Sequence, residues 1–419
     1  MTLCRSDSYD LVIVGAGMVG ASLACILDRA ILNKPLSILL VESAAIDLQA
    51  PPAQPSFDAR STVLSHGTAT YLKTLGLWED LELDAEPIRK IHVSDQGNFG
   101  AVRMDNEELD VDALGYVIEN RLLGKMFNQA LASMASLELC SAVSVSEIKP
   151  LATGMEVLLD KGDQQTRLIT PLVVMAEGGR SGLCEKLGIH RDTESYQQEA
   201  VIANVAFTNS HEHVAYERFT PFGPLALLPL PDHEGQHRAA LVWTRSDDEA
   251  NLILELSEKD FLEQLKNEFG PRLGDFTKVG QRNSYPLNLV QAQEQVRPGL
   301  VLLGNVAHSL HPVAGQGFNL AFRDTMHLAA LLVEATKSGT SLGDISLLHK
   351  YRDETESDQN MTSAFSHYMT RLFSTNNIAA VWVRKFGLFS IDLVLPLRKA
   401  FARRAMGLSD AQVKIEASV

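Results

Sequence analysis

Apolar and polar positions along this chain fall into two regimes. Near the N-terminus, Tyr9-Asp-Leu-Val-Ile-Val14 is an almost continuous apolar run that ends in Gly15-Ala-Gly17, and apolar positions at helical spacing follow from about Met18 to Ala30. A short apolar run without alternation reads as a strand buried on both faces, so strand, turn and helix are predicted in that order. Leu36-Ser-Ile-Leu-Leu-Val41 is a second such strand, and Pro171-Leu-Val-Val-Met-Ala176 is a third, again followed by a turn and a helix. Leu300-Val-Leu-Leu303 is a fourth, leading through small residues to a helix that starts near Phe318. Between about 190 and 283 the pattern changes. Short runs such as Ala200–Phe207 and Arg238–Thr244 alternate apolar with polar, the mark of an antiparallel sheet. Leu225-Ala-Leu-Leu-Pro-Leu230 is too apolar for an exposed strand and is expected to line a core or a greasy pocket. Ser257 opens a surface helix through Leu265.

At 419 residues the chain exceeds one ordinary domain, and two lobes around a shared cleft are expected. The four cysteines, Cys4, Cys25, Cys140 and Cys184, are scattered without a CxxC pair, so neither a disulfide framework nor a structural zinc is expected. No apolar run reaches the roughly 20 residues of a membrane-spanning helix, and the first ten residues lack the pattern of a signal peptide. A net charge of -15 argues against nucleic-acid binding. The charge is uneven, because Ser366–Arg404 carries seven bases against the single acid Asp392. Mixed with Phe373, Trp382, Phe386 and Phe389, those bases make 365–408 read equally as a membrane-surface or partner-docking helix and as a helix packed on its own core with a solvated basic face.

The glycines at 15, 17 and 20 have separate tasks. Gly15 permits the tight turn, Gly17 lets backbone approach a pyrophosphate, and Gly20 lets the helix pack on the strand. The diphosphate then sits at a helix N-terminus, where free N–H groups and the dipole favour negative charge. Glu42, at the end of the second strand, is placed to accept from ribose hydroxyls and would repel a 2'-phosphate. This βαβ fingerprint fits NAD and FAD equally. A second glycine-rich loop, Gly315-Gln-Gly317, at the start of a helix almost three hundred residues later indicates a cofactor gripped at both ends, which points to a flavin.

Several further segments carry a resemblance. Asp58-x-Arg60, Tyr116-Val-Ile-Glu-Asn-Arg121 and His311-Pro-x-x-Gly-Gln-Gly-x-Asn319, with Gly15 to Gly20, resemble the single-component FAD-dependent aromatic hydroxylases, the group of para-hydroxybenzoate hydroxylase. Ala203-Asn-Val-Ala206 and Tyr216-Glu-Arg-Phe-Thr-x-x-Gly-Pro-Leu-Ala-Leu-Leu-Pro229 are similar to the ubiquinone-biosynthesis branch, in particular to hydroxylases of 2-polyprenyl-6-methoxyphenol. The resemblance implies an α/β fold: a discontinuous Rossmann-like FAD-binding domain (1–88, 112–189 and 284–360), an antiparallel-sheet substrate domain (89–111 and 190–283) and a helical C-terminal segment (361–419).

It also implies a flavoprotein monooxygenase. NADH or NADPH would reduce FAD, O2 would give the flavin C4a-hydroperoxide, and its distal oxygen would pass to a polyprenylated phenol. The implied cofactor contacts are Gly15, Gly17, Gly20, Glu42, Arg60, Arg121, Glu177, Gly178, Asn305, Pro312, Gly315, Gln316, Gly317 and Asn319, with Asn319 expected to reach the flavin edge. His308 and His311 flank the second loop and read as packing residues, and no side chain stands out as a catalytic base. Two positions depart from the family pattern, which usually has Asp-Gly at 177–178 and Gly-Asp at 304–305. A sister hydroxylase acting at another ring position and a non-catalytic flavin-bearing scaffold of a ubiquinone biosynthetic complex are the alternative readings. The expected location is cytoplasmic, with peripheral attachment to the inner face of the membrane left open by the tail.

Overall fold

The computed structural model describes residues 4–32, 34–49, 60–97, 101–179, 181–310, 315–374, 395–408, 413, 415 and 416. A six-stranded sheet is built on the N-terminal apolar strand. Leu11–Val14 lies between Ile38–Glu42 and Leu172–Met175, with Leu137–Ser141 beyond the first and Leu300–Leu302 beyond the second, all parallel. Val296–Arg297 closes the edge in antiparallel pairing. Because side chains alternate across a strand, Leu11, Ile13, Ile38 and Leu40 pack under helices Met18–Arg29, Asn120–Ser133 and Gln316–Ser338. Val12, Val14, Leu39 and Val41 meet Val145, Val157 and Leu159 of a three-stranded antiparallel sheet on the other face. Both faces are covered, and this is why these strands are uniformly apolar.

The second lobe is a nine-stranded sheet running from His308–Ser309 through Asn283–Ala292, Arg191–Phe207, Gln236–Ser246, Gly223–His233, Val214–Thr220 and Lys90–Asp95 to Ala101–Asp105, with Phe276–Val279 paired to Arg191–Phe207. Its pairing is antiparallel except between Val214–Thr220 and Lys90–Asp95, which run parallel. Asn283–Ala292 pairs with Arg191–Phe207, so the sheet continues past the boundary expected at 283. One helix, Ile345–Ser374, likewise runs through the boundary expected at 360.

A small sheet of Ser61–Ser65, Gly115–Glu119 and Glu86–Ile88 sits between the lobes. The segment after Arg60 is therefore a strand. Its β-branched Thr62 and Val63 suit a pleated surface, and the helix starts only at His66, where the Ser65 hydroxyl accepts from the Thr68 N–H at 3.2 Å.

The described part of the tail packs on the protein itself. Helix Leu395–Ala405 buries Ala402 beside Ile88 and Val93, with Met406 just beyond it, and Arg398 pairs with Glu108 at 2.8 Å. The turn after this helix docks on the helix at His66, where the Gly67 N–H donates to the Met406 carbonyl at 2.9 Å. Residues 375–394, which carry Trp382 and the cluster Arg384–Phe389, lie outside the described residues. No described helix is long and apolar enough to cross a membrane.

Candidate active site

One cavity of about 1500 Å³ joins the two glycine loops to the face of the large sheet, well above the usual size of a small-molecule pocket. Its first end is built by Gly15, Gly17 and Glu42. Gly15 has φ 104°, and a Cβ there would lie 2.7 Å from the Ala176 carbonyl, so the turn is pressed against the end of strand Leu172–Met175. A Cβ on Gly20 would lie 2.0 Å from the Gly15 carbonyl, so helix and turn meet backbone to backbone. Gly17 differs, because a Cβ there would meet nothing within 4 Å and would project into open space beside the helix N-terminus. Gly15 and Gly20 are thus needed for close backbone packing, and Gly17 leaves open space beside the helix N-terminus. Glu42 is held at the same end by the N–H groups of Ala16 and Ala44, both at 2.9 Å.

Strand Leu172–Met175 delivers Glu177 and Gly178 to the same cavity. Glu177 accepts the Ser181 N–H at 3.1 Å, and Gly178 takes φ 79°. Asn305 follows strand Leu300–Leu302 in a 3-10 turn and is exposed to the cavity.

The second loop enters helix Gln316–Ser338 at Gly315, whose φ of 60° favours glycine and where a Cβ would stand 2.9 Å from that of Val63. Gln316 is buried, and Gly317 faces open cavity with nothing within 4 Å of a built Cβ. Pro312, His311 and Arg180 lie outside the described residues.

Three expectations change at this point. Asn319 has no free group for a ligand. Its Oδ1 accepts from the Ser65 N–H and the Thr68 hydroxyl, and its Nδ2 donates to the carbonyls of Val63 and Gly315, all at 2.8–2.9 Å. With all four positions filled, this fully buried amide is a clasp between the small sheet and the glycine loop. Arg60 turns to Tyr285, donating to its hydroxyl at 3.0 Å, and Arg121 binds Glu119 at 2.6 Å; neither lines the cavity. They share one corner, since the Arg60 carbonyl accepts the Asn120 N–H at 2.7 Å. His308, buried, pairs through Nε2 with Asp324 at 2.7 Å, and Gln359 donates to the same carboxylate at 3.0 Å, a structural network behind the loop.

The sequence reading missed Glu217. It lies on Val214–Thr220 between Ala215 and Phe219, and across the sheet its register partners are Val93 and Ala226, followed by Val242 and Ile202. All of these line the cavity. Among the described residues Glu217 makes no hydrogen bond or ion pair, and burial among these apolar neighbours pushes its carboxyl up to about 7. Strand alternation would have shown it, because Glu217 occupies an inward position between two apolar ones.

Comparison with known proteins decides the family. Residues 8–362 match the FAD binding domain family. The chain belongs to that family. It is an FAD-dependent aromatic-ring monooxygenase, with O2 as oxidant and NAD(P)H as the family's usual reductant. It is 34% identical over 398 residues to ubiquinone hydroxylase UbiL of Rhodospirillum rubrum, covering 95% of this chain and 89% of that protein. It is 30% identical to the mitochondrial ubiquinone biosynthesis monooxygenase COQ6 of Mus musculus, covering 94% and 91%. In fold it is similar to p-nitrophenol 4-monooxygenase PnpA from Pseudomonas putida DLL-E4, with a TM-score of 0.77, 20% identity and 96% and 99% of the two chains covered. The parallel sheet, covered by helices on one face and a small antiparallel sheet on the other, with the large second sheet, is the para-hydroxybenzoate hydroxylase type of fold.

Proposed function

We propose that this protein hydroxylates a polyprenylated phenol in ubiquinone biosynthesis, converting a 2-polyprenyl-6-methoxyphenol to the corresponding 1,4-benzoquinol. The observation that carries this reading is the cavity, which joins a dinucleotide cradle at Gly17 and Glu42 to a large apolar sheet face. Similarity over nearly the full length to a ubiquinone hydroxylase and to ubiquinone biosynthesis monooxygenases supports it.

The residues fit FAD. Gly17 and Gly317 leave open space where a side chain would intrude, and the helix beginning at Met18 has no acid in its first turn to compete with a phosphate. Gly15, Gly17, Glu42, Glu177 and Gly178 would hold the adenosine and diphosphate end, and Asn305, Gly315, Gln316 and Gly317 the ring end. Bound FAD supplies the redox chemistry, taking electrons from NAD(P)H and delivering an oxygen atom from O2 to the ring. The protein's task is to orient the phenol and exclude water. Ile202, Ala226, Leu228 and Val242 provide an apolar wall for that. A prenyl chain suits such a wall, because each buried methylene contributes about 0.8 kcal/mol.

The test is the aromatic intermediate that accumulates when the gene is deleted. A 6-methoxyphenol precursor supports the reading, whereas an intermediate already carrying the new oxygen points to a sister enzyme acting at another ring position. Stopped-flow reduction by NADH or NADPH separates catalyst from scaffold, since only a catalyst shows flavin reduction stimulated by the phenol.

A further inference from the structure

A carboxyl group in the middle of an apolar cavity wall is costly unless something polar comes to meet it. Glu217 is such a group. Its row across the sheet reads Val93, Glu217, Ala226, Val242, Ile202, and its neighbours along the strand on the same face are Ala215 and Phe219. A core position would be filled more stably by Gln or Leu. Instead the acid opens onto the cavity that also holds Gly317.

The charged and titratable groups nearest the cavity side of this strand are Asp95 on the adjacent strand, Glu354 and Asp358 on helix Ile345–Ser374, and Arg403 and Arg404 on helix Leu395–Ala405, with Arg323 and His327 lining the cavity from helix Gln316–Ser338. None contributes to the displacement of Glu217, whose cause is desolvation alone. Asp358 is moreover paired with Arg323 at 2.7 Å.

A phenol brings one hydroxyl into an otherwise apolar pocket, and a lone carboxylate complements it. We propose that Glu217 receives the phenolic hydroxyl of the substrate, accepting its hydrogen bond and then its proton. This rests on the phenol-hydroxylase reading above. The phenolic O–H bond breaks, the proton passes to a carboxylate oxygen of Glu217, and the electron pair remains on the phenol oxygen. The ring, richer in electrons para to that oxygen, would take the oxygen atom that bound FAD supplies from O2: the C–O bond forms as the O–O bond breaks, its electron pair leaves with the other oxygen, which water protonates, and the displaced para hydrogen leaves as a proton that restores the phenolic O–H. The proton leaves Glu217 to water after product release. Glu217 is then a catalytic residue in contact with substrate, and the apolar wall keeps the carboxylate poorly solvated and so more basic.

The experiment uses FAD-loaded full-length protein, NADPH or NADH, and a short-chain prenylated 2-methoxyphenol, with phenol affinity and hydroxylation each measured from pH 5.5 to 9. For the wild type, affinity and kcat/KM rise with pH through about 7 as Glu217 ionises. Glu217→Gln loses that limb and falls about a hundredfold in kcat/KM. Glu217→Asp keeps an acid limb at reduced rate. FAD content and melting temperature serve as folding controls. If Glu217→Gln matches the wild type in both profiles, or Glu217→Asp lacks the limb, the role of Glu217 is overturned while the hydroxylase reading stands. If the wild type neither binds nor hydroxylates the phenol, both fall.

Discussion

Gly317 and Asn319 are two residues apart on the same turn of helix and do opposite things. Gly317 leaves space, so Gly317→Val is expected to abolish FAD retention, read as the 450 nm absorbance of the purified protein; a fully yellow variant would place the ring elsewhere. Asn319 fills space and satisfies four partners. Asn319→Ala strips hydrogen bonds from the buried Ser65 N–H and from the Val63 and Gly315 carbonyls. At about 1–3 kcal/mol for each orphaned group, several kcal/mol of stability are expected to be lost, seen as a lower urea midpoint with an unchanged m-value. Glu217 has a pH-dependent effect of definite sign. Its folded-state pKa is raised from 4.5 to about 7. The protonated form is favoured by folding, so that stability is fully present below pH 4.5 and is lost as pH rises through about 7. Glu217→Gln is therefore expected to raise Tm relative to the wild type at pH 8 and to leave it nearly unchanged near pH 4.5. An equal difference at both values would contradict the burial of this carboxyl.

Among the elements, four of the five parallel strands and the two helices at glycine turns were legible because a strand covered on both faces has no polar alternation to confuse its reading; the half-buried edge strand Leu137–Ser141 was not. Ser61–Ser65 was not legible. Five residues flanked by a helix carry little periodicity, and what makes them a strand is pairing with Gly115–Glu119, fifty residues on. The tail shows the same limit in reverse. Its amphipathic pattern is real, but burial of Ala402 and Met406 against Ile88 and Val93 is a matter of where the helix ends up. Glu217 lay within a motif quoted for family resemblance, and the alternation that puts Ala215, Glu217 and Phe219 on one face of the strand was the signal for its inward direction.

Across the whole molecule, the lobes are tied by a buried ion cluster. Glu119 of the small sheet pairs with Arg121 and also with Arg238 of the large sheet, at 2.6 and 2.8 Å, and Glu119 and Arg238 are 2% and 3% exposed. Removing one partner leaves an uncompensated buried charge. Glu119→Ala is expected to cost about 3–5 kcal/mol, measured by urea unfolding followed through flavin and tryptophan fluorescence; loss below 1 kcal/mol would show that the cluster contributes little.

The chain's local pattern was enough to specify the parallel sheet, the glycine turns and the demand for a dinucleotide, because each depends on neighbours a few positions away: strand burial, φ freedom, a helix N-terminus. Which polar groups remain free to act depends on partners far along the chain. Asn319 is occupied by residues some 250 positions earlier, Arg60 is turned to Tyr285, and Glu217 stands in a row across the sheet whose other members, Val93, Ala226, Val242 and Ile202, are all apolar. Hydrogen-bond satisfaction and desolvation are settled in three dimensions, and in this protein they separate groups that hold the fold, such as Asn319, from Glu217, which faces the cavity with no hydrogen bond or ion pair among the described residues.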